Sequence, residues 1–130
     1  MSKPLRAMLM PTYTWNPYLR MLAAELTAQG IESTVVGQWP KRAPIVGAWQ
    51  AQGRPDVVHL HWVHDVLGGS KGTPTRRNVI GFDGQLRALK LAGVRVVWTV
   101  HNLKGHEAGG DTNDQEAHRR LIERADAVIL

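Results

Sequence analysis

Two apolar runs, Val57-Val58-His59-Leu60-His61-Trp62 and Val94-Arg95-Val96-Val97-Trp98-Thr99-Val100-His101-Asn102, each place a histidine at or just past the end of a strand-like segment. In an open parallel sheet, ligands sit outside the carboxyl ends of the strands, so ionisable residues gathered there read as a binding site. The rest of the chain alternates strand and helix signals around these runs. Leu5 to Met10 predicts a first strand. Asn16-Pro17 then pairs a favourable N-cap with proline at the first helical position. Leu19, Leu22, Ala23 and Leu26 recur at helical spacing and give one apolar face, which ends at Gly30 before a second strand, Ile31 to Val36. Asp56 to His61 is the third strand. Phe82, Leu86 and Leu89 mark the inner face of a helix from about Phe82 to Ala92, and Val94 to Val100 follows as a strand whose β-branched composition predicts a central position. Thr112 and Gln115 form a capping box for a helix through Glu123 or Arg124, and Ala127 to Leu130 opens a further strand. Strands alternating with helices predict an α/β, Rossmann-like three-layer domain with a mostly parallel sheet.

The 130 residues fit one domain. The formal charge is +5 and eleven arginines stand against five lysines, which favours an anionic partner such as a phosphate, an acidic sugar or a bilayer surface. With no cysteine, a disulfide framework, a cysteine nucleophile and a cysteine zinc ribbon are excluded. Met1 to Met10 lacks the long apolar region of a signal peptide, and no stretch reaches the length of a membrane span, so the expected location is cytoplasmic. Between Gly37 and Pro55 the pattern weakens, with a turn at Pro40 to Pro44 and a short helix around Val46 to Trp49. Gly68 to Arg77 and Leu103 to Gly110 read as loops.

His59 and His61 point to one face of their strand because side chains two apart do so, and His64 and Asp65 follow. Zinc accepts such ligands, and the order is similar to the metallo-β-lactamase pattern. That pattern, however, sets an aspartate before the third histidine, where this chain has Val63. The preferred reading is that no metal is bound, His59 packs in the strand and His61 lines a cleft; a metal-dependent hydrolase is the minor alternative. No cofactor is expected. In the second run, His101 and Asn102 at a strand's carboxyl end can bond sugar hydroxyls or phosphate.

The segment Val57 to Trp62, the segment Leu89 to Leu103, His106-Glu107, and Ala125-Asp126-Ala127-Val128-Ile129, in that order and spacing, resemble the N-terminal domain of GT-B glycosyltransferases. The likeness is greatest to the family 4 type of bacterial exopolysaccharide synthesis, and Asn16-Pro17-Tyr18 resembles the first loop of those members. The resemblance implies one half of a GT-B fold. This half would bind a glycan or lipid-linked acceptor, while a C-terminal domain would bind the nucleotide-sugar donor. It also implies that His101 reaches the donor sugar as the catalytic residue and that configuration is retained. Trp15, Asn16, His61, Trp62, Asn102, Lys104 and Glu107 are the candidate substrate-binding residues. Where many members have a glycine-rich first loop, this chain has Thr12-Tyr13-Thr14-Trp15-Asn16; Trp15 and Trp62 offer flat faces for sugar rings instead.

The apolar run ending at Leu130 predicts a piece of a longer two-domain protein, inactive alone. The alternative is a non-catalytic partner subunit of a split glycosyltransferase. The basic stretches Lys41-Arg42 and Lys71 to Arg77 fit a lipid-linked diphosphate at the inner face of the plasma membrane. Nucleic acid is not expected, because the cations are dispersed and no recognition helix or stacking platform is present.

Overall fold

The computed structural model describes residues 3–40, 42–67, 74–101 and 112–130. Five strands, β1 (Arg6–Met10), β2 (Glu32–Val35), β3 (Val57–Leu60), β4 (Arg95–Thr99) and β5 (Ala127–Ile129), form one sheet in the order β2-β1-β3-β4-β5. All four pairings are parallel. The helices are α1 (Tyr18–Ala28), α2 (Pro44–Gln52), α3 (His64–Leu67), α4 (Arg76–Leu91) and α5 (Thr112–Arg124).

Alternation along each strand divides the core into two layers. Met8, Met10, Val58, Leu60, Val96 and Trp98 face α2, α4 and α5, where they meet Ile45, Ala48, Val79, Phe82, Leu86, Leu89, Ala117 and Leu121. Ala7 and Leu9 face the other way, toward Leu19 on α1, with Leu22, Leu26, Val35 and Val57 packed around them. The expected apolar stripes of α1 and α4 are therefore the buried ones, and the sheet is covered on both faces as a Rossmann-like three-layer fold. Asp83, buried on α4, holds α5 against it by accepting hydrogen bonds from Arg120 (3.0 Å) and Arg124. Burial pushes its carboxyl up, but the two guanidiniums outweigh that and hold it below the usual carboxylate range.

As its β-branched composition predicts, β4 lies inside the sheet, between β3 and β5, while the middle strand is β3. Three expectations need correction. Helix α4 begins at Arg76, six residues ahead of Phe82, because Thr75 caps it: the Thr75 hydroxyl accepts from the Asn78 amide N–H, and Asn78 Oδ1 accepts from the Thr75 N–H. Arg76 and Arg77 thus lie on a helix rather than in a basic loop. Helix α2 starts at Pro44 and runs nine residues, longer than the short helix expected around Val46 to Trp49. At α1 the cap position is Pro17, and Asn16 precedes it, its Oδ1 accepting from the Tyr18 N–H at 3.0 Å. Lys41 and residues 71–73 of the basic stretches lie outside the described residues. No helix among the described residues is long and apolar enough to cross a membrane.

Candidate functional site

The strand order places a topological switch point between β1 and β3. The chain leaves β1 toward α1 on one face of the sheet and leaves β3 toward α4 on the other, so the carboxyl ends of these strands open into a crevice. Three segments meet there: residues 11–17 after β1, 61–63 after β3, and 100–101 after β4.

Their side chains form a connected cluster of rings. His101 lies face to face on Trp62, with centroids 4.4 Å apart and planes at 16°. Tyr18, the first residue of α1, sets its ring edge toward His101 (5.4 Å, 90°) and toward His61 (5.8 Å). Tyr13 tilts against Trp62 at 5.6 Å and stacks on Trp15 at 5.1 Å and 17°. His101, Trp62, His61 and Trp15, drawn from three separate segments, therefore belong to one site. Trp62 is half-buried, and Trp15 is 76% exposed, so it is no part of the core. Asn16 adjoins the cluster through its bridge to Tyr13, with its side-chain oxygen committed to the start of α1. Asn102, Lys104 and Glu107 lie outside the described residues. Tyr13 and Tyr18 were not anticipated as site residues from sequence; the signal available was their place in the loop after β1 and at the first turn of α1.

Three imidazoles are linked behind this surface. His59 Nε2 bonds Thr99 Oγ1 at 2.7 Å, and His61 Nδ1 bonds His101 Nε2 at 2.9 Å, with the His59 and His61 rings 4.2 Å apart. Burial lowers the pKa of His59 to about 4, with His101 adding repulsion. Burial lowers His61 to about 3, with repulsion from His59 and then His101. His101 is lowered by burial as well. The cluster is therefore neutral at physiological pH.

Neutrality allows the protons to be placed. His61 is only 2% exposed, and its Nε2 is buried with no hydrogen-bond partner among the described residues. A proton on that nitrogen would be a buried, unsatisfied N–H; a bare lone pair there is the lesser cost. The proton belongs on Nδ1, which donates to His101 Nε2. His101 must then carry its own proton on Nδ1, the nitrogen that makes no hydrogen bond within the described residues. The histidine at the mouth of the crevice thus offers a ligand an N–H donor.

The His59, His61 and His64 positions do not assemble as metal ligands. His59 is committed to Thr99, His61 to His101, and His64 stands on α3, 3.4 Å from Asp65. Among the described residues no three ligand-type side chains converge.

No protein-family profile matches the chain, and no curated protein matches it. Among solved structures, a cobalamin-binding protein from Desulfitobacterium hafniense DCB-2 aligns with it at 16% sequence identity and a TM-score of 0.48, over 97% of this chain and 53% of that one. The chain thus spans about half the length of that protein.

Proposed function

We propose that this chain is the acceptor-binding half of a glycosyltransferase that moves a sugar from a nucleotide-sugar donor to a glycan or lipid-linked acceptor. The observation that carries this reading is the stack of His101 on Trp62 at the carboxyl ends of β3 and β4, joined through Tyr13 to the exposed Trp15. Aromatic faces beside a neutral hydrogen-bond donor suit a ligand made of apolar ring faces and hydroxyls. The resemblance to the family 4 type supports the same assignment and gives His101 its role.

In this reading Trp62 presents a flat surface to a sugar, Tyr18 walls the crevice, and His101 donates its Nδ1 proton to an oxygen of the donor sugar or its diphosphate. Such a bond helps most where negative charge develops as the nucleoside diphosphate leaves. As the bond from the anomeric carbon to the diphosphate breaks and the bond to the acceptor oxygen forms, the acceptor's proton passes to the departing diphosphate oxygen and not to His101, as in a retaining, front-face transfer. A cytoplasmic location at the inner membrane surface, with a lipid-linked acceptor, belongs to the same proposal.

The test is an NMR titration of the labelled chain with neutral oligosaccharides and, separately, with UDP-glucose and GDP-mannose. Oligosaccharides should move the Trp62 indole and His101 ring signals with millimolar affinity, and His101→Ala should abolish the shift at Trp62. Tight binding of a nucleotide sugar without any glycan response would overturn the acceptor assignment.

A further inference from the structure

A second recess opens beside the histidine cluster, between the β1–α1 segment and the turn after β2. It is an open concavity of about 470 Å³ lined by Thr12, Tyr13, Trp15, Arg20, Gly37 and Gln38. Two features of this recess point to a ligand. Trp15 is 76% exposed while its ring lies nearly parallel to Tyr13, so one broad apolar face is turned toward water. A flat aromatic face so placed is a platform on which a ring can stack. Arg20 bonds only the Thr14 carbonyl, at 3.4 Å, and forms no ion pair among the described residues. Its guanidinium keeps most of its five donors free for an anion.

We infer that this recess is a subsite for a pyranose carrying an anionic group, either a uronate carboxylate or a sugar phosphate. The ring lies on the outer face of Trp15, the charge pairs with Arg20, and hydroxyls bond the Gln38 amide, which both donates and accepts. A planar nucleobase would also stack on Trp15, and the proposed acceptor role is what favours the sugar. The inference rests on the proposed acceptor role and specifies it: the acceptor glycan carries an acidic residue, bound one ring away from Trp62 through Tyr13.

The experiment is a titration of 15N-labelled chain with methyl β-glucuronide, glucose 6-phosphate, methyl β-glucoside and AMP, following the indole N–H of Trp15 and of Trp62 separately. The expected result is that one or both anionic sugars move the Trp15 signal with affinity about tenfold above the neutral glucoside, a margin that Arg20→Gln removes. Glucuronide against phosphate distinguishes the two sources of charge. Trp15→Ala, a change at an exposed site that leaves the fold intact, should abolish the shift that the anionic sugars produce at the Gln38 side-chain amide. Equal binding of glucoside and glucuronide, insensitive to Arg20→Gln, overturns the acidic subsite and leaves the acceptor reading standing. So does a sugar response confined to Trp62. Preference for AMP over every sugar overturns the assignment of ligand class, and silence of both indoles toward all sugars overturns both readings together.

Discussion

The buried histidines make acid the weak point of this fold, at a pH well above that at which carboxylates titrate. His59 and His61 have folded pKa values of about 4 and about 3, against 6.5 in an unfolded chain. Between pH 6.5 and pH 4 the unfolded chain binds protons at both sites and the folded chain at neither, so stability must fall as pH falls through that window. At pH 5.0 a histidine of pKa 6.5 gains about 2 kcal/mol from protonation, whereas one of pKa 4 or below gains almost nothing. His61, almost fully buried, carries the whole effect; His59, half-buried, carries somewhat less. The pair should cost about 3 to 4 kcal/mol between pH 7.5 and pH 5.0, a large share of the stability of an ordinary domain. The loss is governed by the unfolded value, because both folded values lie below pH 5. Urea unfolding at the two pH values measures it. With a slope of about 2 kcal/mol/M, the midpoint should drop by roughly 2 M with the slope unchanged. His59→Val should recover between a third and a half of that drop. A midpoint that moves by less than about 0.5 M would mean that the imidazoles are accessible to protons in the folded state, and the arrangement behind His101 would have to be abandoned.

Two further outcomes can be checked on the same protein. The protons placed on Nδ1 of both His61 and His101 should give the 15N pattern of Nδ1-protonated imidazoles at pH 7.5, and an Nε2-protonated His61 would reverse the donor role given to His101. Thr75→Ala removes the hydroxyl that caps α4 and should lower stability by about 1 kcal/mol, seen as a Tm about 3 to 5 °C lower in calorimetry, while leaving ligand shifts at Trp62 unchanged.

The layered fold was legible because its signals are local. The helical spacing of Leu19, Ala23 and Leu26 and of Phe82, Leu86 and Leu89, and the glycines that end those helices, each depend on neighbours within a few residues. Gly93, at φ +78°, closes α4 as a glycine after a helix does. The start of α4 was missed because its cap uses asparagine at the third helical position, where glutamate or glutamine is the usual sign, and because Arg76 and Arg77 read as loop cations. Strand order was not legible because it depends on crossover faces, which no local pattern records; only the interior position of β4 was. In the site, the His-x-His spacing correctly put His59 and His61 on one face. Their partners, Thr99 and His101, lie forty residues away and are joined to them only by the parallel pairing of β3 with β4. Tyr18 reaches the same cluster from α1, a relation fixed by tertiary packing alone.

The same burial that makes the cluster sensitive to acid also fixes what it can do. A histidine that serves as a general base is usually oriented by a carboxylate, which raises its pKa and stabilises the imidazolium formed on proton uptake. His101 is oriented instead by the neutral His61, whose proximity and burial oppose any positive charge nearby, and its own pKa is lowered. An imidazole so placed is a poor proton acceptor and a steady hydrogen-bond donor, and a ligand that covers the crevice would exclude more water and make it more so. Charge developing on a leaving diphosphate can be met by that donor without a change in its protonation. A step that required the histidine to take up a proton would have to work against His59, His61 and the hydrophobic wall of Trp62 and Tyr18 together. The architecture behind His101 therefore favours hydrogen-bond donation over proton uptake, which in the proposed transfer would serve the departing group rather than the incoming one.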